Sequence, residues 1–398
     1  MQAIAVGLVM AANSMPAQNW MLTPAPSVNW KAVAGSSDGT QLAAGVGGEA
    51  GIYGSIYIST NSGATWTQTS SPSLAWQSIA CSSDGTKLVA AAAGSIYTST
   101  NSGATWTKAA MPAVNWVSTA SSADGSKLLV AAGAFWDVTG PLYSSADSGA
   151  TWASNSLPKG YWRGVASSAD GLKLAAVNYK PAFNAAAVYT STNAGVTWTS
   201  NALSSRSFSC VASSVDGTKL AVAGDPSGIY ASTNSGDTWT ATSAPVEYYQ
   251  SIACSADGST LIAVTDYNIT STGPGPVYTS TDSGVTWVSN IVNGVFWQTA
   301  FSSADGSKLV AVGNYPFLGP KGGIYVSPPE VLLSGTVSSN SIVLSWPTNA
   351  TGFGLEQNLD LTTTNWVAVT NAPTTTKGNK QVLLSVTNND NLFFRLKQ

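Results

Sequence analysis

Five carboxylates, Glu49, Asp137, Asp225, Glu247 and Asp266, stand apart from any regular pattern in the chain and are its weak candidates for acid–base chemistry. Two such groups about 5 to 5.5 Å apart would suit a retaining glycoside hydrolase, and a separation of roughly 6.5 to 9.5 Å an inverting one. Spacing along the chain brings no two of them together, and scattered loop acids more often cap or solvate a loop than catalyse. No catalytic residue is therefore assigned, and binding is favoured over hydrolysis and over a third reading, a structural exoprotein that uses the fold only as a rigid spacer. There is no histidine, so the usual Cys–His pair cannot be built around Cys81, Cys210 or Cys254. The same lack removes the ordinary ligands of zinc, copper and iron, and no metal site is expected; loop oxygens leave room only for a hard cation such as calcium. No phosphate-cradling glycine loop occurs, and no cofactor is expected.

The elements that would position such groups are set by a repeat. An Asp-Gly pair recurs at Asp38, Asp84, Asp124, Asp170, Asp216, Asp257 and Asp305, at intervals of 40 to 48 residues. Eight residues before each stands an aromatic: Trp30, Trp76, Trp116, Trp162, Phe208, Tyr249 and Trp297. Each unit reads as a short strand, the Asp-Gly turn, a second strand, a variable loop, a third strand such as "IYTST", the turn "NSGAT" and a last strand headed by Trp. Four short strands repeated with this period predict an all-β chain, a seven-bladed β-propeller. The x-G-x-T-W ending occurs six times, at Trp66, Trp106, Trp152, Trp198, Trp239 and Trp287, each ten residues before the next aromatic. Trp20 precedes Trp30 by the same ten, so "NWMLT" at 19–23 is expected to supply the missing last strand and close the ring.

The turn S-x-[N/D]-x-G-x-T-W resembles the motif of the Asp-box (BNR-repeat) propellers, a fold group shared with sialidases and xyloglucan-degrading enzymes. The resemblance spans roughly residues 19–327. Its key positions here are Asn61, Asn101, Asp147, Asn193, Asn234 and Asp282. An amide cannot exchange protons as a carboxyl does, so the column is read as a structural acceptor that staples a hairpin, with Gly supplying the positive φ. The resemblance implies a sialidase only if three arginines meet, and the propeller has Arg163 and Arg206 alone. Photosystem-assembly and sorting-receptor propellers also share the motif, but are associated with a basic patch or with a cysteine-rich module and a membrane span, neither of which the sequence carries.

In such a fold the second-to-third-strand loops and the connections between units share one rim, and here those segments vary most, which is where binding residues tend to gather. They hold Glu49, Phe135, Trp136, Asp137, Tyr179, Lys180, Phe183, Asp225, Asp266, Tyr267, Tyr315 and Phe317, with Tyr161, Arg206, Glu247 and Tyr248 from the connections. One residue past each first-strand aromatic runs a mostly polar column, Lys31, Gln77, Val117, Arg163, Ser209, Gln250 and Gln298, expected at the mouth of a central channel. Aromatic platforms beside polar groups suit carbohydrate. The expected ligand-binding set is Lys31, Gln77, Trp136, Tyr161, Arg163, Arg206, Tyr248, Gln250, Tyr267, Gln298 and Tyr315, with a glycan or another extracellular surface polymer as partner.

Charged residues make up 9% of the chain and the net charge is −3, which leaves no basic stripe for nucleic acid. Residues 1–17 contain an apolar run, Ala3–Ala12, and an A-x-S pattern ending at Ser14, and read as an export signal. No later run is long enough to span a bilayer. The expected setting is outside the cytoplasm, secreted, periplasmic or at a bacterial-type cell surface, as a monomer. From 328 to 398 the repeat stops, and "VLLSGTV", "SIVLSWP", "GFGLEQN", "NWVAV", "QVLLSVT" and "NLFFRLK" read as six strands. This segment resembles a fibronectin type III-like sandwich and the terminal modules of exported bacterial proteins, which implies an accessory or attachment role.

Overall fold

The computed structural model describes residues 20–48, 51–133, 139–179, 187–203, 207–224, 226–266, 273–315, 322–327, 334–338, 341–347, 354–358, 365–376, 379–385 and 393–397. Every regular element among them is a β-strand. The chain divides into two compact units, Met15–Pro328 and a second that holds Pro329–Gln398.

Between Met21 and Val326 the described strands form seven four-stranded antiparallel sheets. Sheet one runs Trp30–Gly35, Leu42–Val46, Ile56–Ser59 and Thr67–Gln68, in that order from one edge to the other. The next five sheets repeat this plan, opening at Trp76, Trp116, Trp162, Cys210 and Tyr249. Sheet seven is built differently. Phe296–Ser302, Leu309–Asn314 and Gly322–Val326 are completed by Met21–Leu22, with Met21 opposite Val326 and Leu22 opposite Tyr325, and Thr23 N–H donates to Ile324 O at 2.9 Å.

Each opening strand borders the opening strand of the next sheet, and that of sheet seven borders that of sheet one. The core is accordingly split into wedges between consecutive sheets. Ala32, Ala34, Ala43 and Ile56 of sheet one meet Trp76, Ile79, Leu88 and Ala90 of sheet two, and the cycle closes where Val310, Val312 and Ile324 meet Trp30, Val33 and Leu42. Small residues on one side admit the large aromatic of the other. Trp30, Trp76, Trp116, Trp162, Phe208, Tyr249 and Trp297 are each no more than 1% exposed, and each packs on the tyrosine of its own third strand, as Trp76 does on Tyr97 at 5.7 Å.

The Asp-Gly turns do more than reverse the chain. In the first, Asp38 Oδ1 accepts from Ser36 Oγ at 2.5 Å and from Thr40 N–H at 2.9 Å, while Gly39 takes φ 63°. The residue before each Asp then hands its N–H to the carbonyl of its counterpart in the next sheet. The series Ser37, Ser83, Ala123, Ala169, Val215, Ala256, Ala304 returns to Ser37, with every bond 2.7 or 2.8 Å long. This ring of backbone bonds ties the seven turns into one circuit.

The Ser hydroxyl first, then the turn N–H, holds Asp38, Asp216 and Asp257 at a pKa of about 2, below the usual 3.8. A carboxyl depressed in the folded state contributes stability above its unfolded pKa and loses it as pH falls through the folded value. The melting temperature is therefore expected to drop between about pH 4 and pH 2. Asp38→Asn should shrink that drop, as thermal unfolding followed at successive pH values would show.

In the second kind of turn, Asn61 Oδ1 accepts from Thr65 N–H at 2.8 Å, Ser59 Oγ accepts from Gly63 N–H at 2.9 Å, and Trp66 Nε1–H donates to Gly63 O at 3.1 Å. Two successive residues, not glycine alone, occupy the left-handed region: Ser62 has φ 56° and Gly63 φ 88°, and Ser102, Ser148, Ala194, Ser235 and Ser283 repeat the former. Where the key residue is Asn61, its Nδ2 donates to Thr65 Oγ1 at 2.9 Å; where it is Asp147, the hydroxyl of Thr151 donates to Oδ2 at 2.5 Å. The bond reverses its direction and keeps its place, so Asn and Asp interchange. Asp147→Asn should leave the chemical denaturation midpoint near neutral pH where it is in the parent, and Asp147→Ala, which removes the acceptor, should lower it.

Both turn types lie on one rim, because the Ser62 N–H donates to Thr40 O at 2.8 Å and the same link recurs in sheets two to six. On the opposite rim the second-to-third-strand loops pair with the connections between sheets through the bridges Gly54–Leu74, Ala93–Asn115, Gly140–Gly160, Tyr179–Ser207 and Ser227–Glu247.

In the second unit, Ser334–Ser338, Ser341–Pro347, Asn379–Ser385 and Thr374–Thr376 form one sheet and Val367–Ala368, Gly354–Asn358 and Phe393–Lys397 another. Ile342, Leu344, Trp346 and Val382 share a core with Leu355. Thr374–Thr376 is a strand that the sequence pattern leaves as loop: all three residues are exposed, so nothing apolar marks it.

Candidate functional site

Six of the seven opening strands carry a register shift one residue after the aromatic, between Trp30 and Ala32, Trp76 and Ser78, Trp116 and Ser118, Trp162 and Gly164, Tyr249 and Ser251, and Trp297 and Thr299. The residues skipped are Lys31, Gln77, Val117, Arg163, Gln250 and Gln298. In sheet five the ladder begins only at Cys210, and Ser209 N–H donates to Ala223 O at 2.9 Å. A bulge leaves its extra residue unpaired and turns its side chain out of the ordinary alternation. All seven column residues are half-buried, on the strands that border one another around the ring.

That these side chains face their neighbours is shown at the junction of sheets seven and one, where Lys31 Nζ donates to Gln298 Oε1 at 2.8 Å. In sheet two, Gln77 Nε2 makes only long bonds, 3.3 Å to Gly48 O and 3.4 Å to Ala75 O. A second station lies in sheet four. There the Arg163 guanidinium sits 5.4 Å from the ring centre of Tyr179, whose N–H donates to Tyr161 O at 2.9 Å. Ser209 differs, since its hydroxyl is spent on Ala223 O and Tyr249 O.

The other sequence-derived residues divide. Tyr248 is half-buried, and its carbonyl accepts the Asp266 N–H at 3.2 Å. Tyr315 is half-buried, with its hydroxyl against that of Tyr325 and its side chain packed on the core cluster that includes Val295 and Trp297. Acid chemistry is likewise curtailed at Glu247, which is 5% exposed and accepts from the Tyr278 hydroxyl at 3.3 Å. Burial is the main reason the Tyr278 hydroxyl is pushed up to about 12. Of the candidate acids, Asp266 alone among the described residues stays half-exposed on this rim. Glu49, Trp136, Asp137, Arg206, Asp225 and Tyr267 lie outside the described residues, as do Phe135, Lys180, Phe183 and Phe317. No group of three or more Cys, Asp or Glu side chains able to hold a metal occurs among the described residues. Burial pushes the thiols of Cys81, Cys210 and Cys254 up to about 12, which suits small fillers and not nucleophiles.

Sequence reasoning named these seven positions from the repeat and missed the bulge that sets six of them off. The available signal is a break in the two-residue alternation: Trp30–Gly35 reads buried, half-buried, then three buried in a row. Also missed were Gly47 and Gly133. A Cβ on Gly47 would lie 2.0 Å from Trp76 O, and one on Gly133 would lie 2.5 Å from Trp162 O, so the second strand ends pressed against the next bulge.

No protein-family model matches the chain, and no curated protein matches it. Solved structures do. YCF48 from Cyanidioschyzon merolae aligns with TM-score 0.55 at 15% identity, over 77% of this chain and 98% of its own. A YCF48 bound to D1 peptide aligns at 0.57 and 13%, over 83% and 99%. The β-propeller domain of Myceliophteria thermophila Cps50 (Swd1) aligns at 0.55 and 16%, over 78% and 99%. The fold is a β-propeller. At these identities the likeness extends to architecture alone, and the propeller's column must be read from its own residues. No helix among the described residues is long and apolar enough to cross a membrane.

Proposed function

We propose that this chain is a seven-bladed Asp-box propeller that binds a glycan or another surface polymer without chemically altering it. The observation that carries this reading is the bulged column: Lys31, Gln77, Arg163, Gln250 and Gln298 present ammonium, guanidinium and amide groups from consecutive or facing sheets, and none of the seven positions is an acid. Such a ring donates hydrogen bonds to sugar hydroxyls and carboxylates, and supplies no general acid or base. Burial of Glu247 weighs against the hydrolase alternative, because a carboxylate closed in by Tyr278 cannot meet a glycosidic oxygen.

In the same reading residues 1–17 direct export, the protein works as a monomer outside the cytoplasm or at the cell surface, and residues 328–398 form a sandwich-like accessory module. The test is incubation with a panel of insoluble and soluble polysaccharides, scoring retention and release of reducing ends together. Retention without release is the expected result. Release would establish hydrolysis instead, and neither would remove the glycan reading.

A further inference from the structure

Eight times in this chain an Asp or Asn stands directly before glycine, and there the glycine nitrogen can attack the side-chain carbonyl most easily, because no Cβ shields it. Seven of the eight are the Asp-Gly turns, whose hydrogen bonds oppose that attack from both sides. Each glycine N–H is already given to the serine carbonyl three residues back, as Gly39 N–H is to Ser36 O at 2.9 Å and Gly306 N–H to Ser303 O at 3.0 Å. Each Asp Oδ1 in turn accepts from the hydroxyl of that serine at 2.5 or 2.6 Å, which favours the ionised carboxylate, a poor electrophile. The Asn of the second turn type is guarded in the same way: the N–H that follows Asn61, that of Ser62, donates to Thr40 O at 2.8 Å, and Asn61 Nδ2 is bound to Thr65.

The eighth pair lacks every one of these restraints. Asn293 and Gly294 form a turn in the connection between Val288–Asn290 and Phe296–Ser302. Both are exposed, Gly294 takes φ 79°, and neither the Asn293 side-chain amide nor the Gly294 N–H has a hydrogen-bond partner among the described residues. We propose that Asn293 is a modification site, deamidated spontaneously with water as the only co-reactant. The Gly294 nitrogen gives its proton to solvent hydroxide and bonds to Asn293 Cγ; the Cγ–Nδ2 bond breaks, and ammonia leaves with a proton from water. Water then opens the five-membered imide at either carbonyl, giving aspartate or, where the main-chain carbonyl is attacked, isoaspartate. Nothing is oxidised or reduced, and the net exchange is ammonia for water. Both products place a new carboxylate on the variable rim beside Tyr315, whose ring lies 3.6 Å from where a Gly294 Cβ would stand. Isoaspartate also adds a backbone carbon just ahead of Val295, which is fully buried at the junction of sheets six and seven.

The test incubates the full folded chain at mildly alkaline pH in heavy-oxygen water and follows each Asn and Asp peptide by mass spectrometry, with fragmentation that separates aspartate from isoaspartate. Expected are conversion at Asn293 roughly tenfold or more faster than at Asn61, Asn101, Asn193 or Asn234, both products with one heavy oxygen each, and a rate that rises with hydroxide. Gly294→Ala, whose Cβ would meet only ordinary contacts, should slow the reaction roughly tenfold with the fold kept, as the melting temperature would show. In denaturant the Asp-Gly pairs should begin to isomerise and Asn61 to convert. An intact Asn293, or conversion no faster there than at Asn61, would overturn the proposal. Aspartate without isoaspartate would replace imide formation by direct hydrolysis and overturn it too, as would an unchanged rate in Gly294→Ala. Isomerisation of the Asp-Gly pairs at equal rates in the folded and unfolded chain would overturn the protective role of the turn bonds.

Discussion

Gly47→Ala is expected to destabilise the propeller by about 3 kcal/mol or more, one of the largest effects of any single methyl group in the chain. The added Cβ would meet backbone on every near side, Trp76 O at 2.0 Å, Trp76 N at 2.7 Å and Trp76 C at 2.9 Å, and backbone cannot rotate away as a side chain can. Relief requires sheet two to move off sheet one at the bulge that aims Gln77. The same substitution should therefore weaken any retention on the polysaccharide panel as well as lower the denaturation midpoint. Gly94→Ala is the control. Gly94 has φ 80° and nothing within 4 Å of its would-be Cβ, so that change should cost only the conformational penalty of about 1 to 2 kcal/mol. Equal midpoints for the two variants would refute the steric account.

A chain that begins at Pro24 should lose about 3 to 5 kcal/mol and become prone to self-association. Trp20 packs on Trp297 with ring centres 6.2 Å apart, and its removal forfeits about 2 kcal/mol of apolar burial. The pairing of Met21 and Leu22 with Val326 and Tyr325, and the Thr23–Ile324 bond, add about 1 kcal/mol each. Gly322–Val326 would then be an edge strand, open to any passing partner. Thermal unfolding and sedimentation together check both halves. An unchanged melting point in a chain that stays monomeric would show that the latch is dispensable.

How much of this was open to reading follows from what the repeat preserves. Turn chemistry and the large aromatics are written in residue types, Asp-Gly and Trp at fixed distances, and the wedge-shaped cores follow from them. The strand Met21–Leu22 could be placed because Trp20 keeps the ten-residue interval to Trp30. The bulges could not, since Lys, Gln, Val and Arg share no property that marks a skipped residue; only the burial sequence along Trp30–Gly35 betrays one. Glu247 looked like a loop acid because it stands between a proline-containing connection and two tyrosines, and its partner Tyr278 lies 31 residues on, in the third strand of its sheet.

The circuit through Ser37, Ser83, Ala123, Ala169, Val215, Ala256 and Ala304 also bears on how the chain can change by insertion. Each member is donor to one neighbour and acceptor from the other, so lengthening a single Asp-Gly hairpin would sever two links at once and leave two peptide groups stranded. Loops on the opposite rim belong to no such chain of obligation and can grow independently. New specificity can therefore be grafted there one segment at a time, while the number of units is locked by the need for the last donor to find the first acceptor.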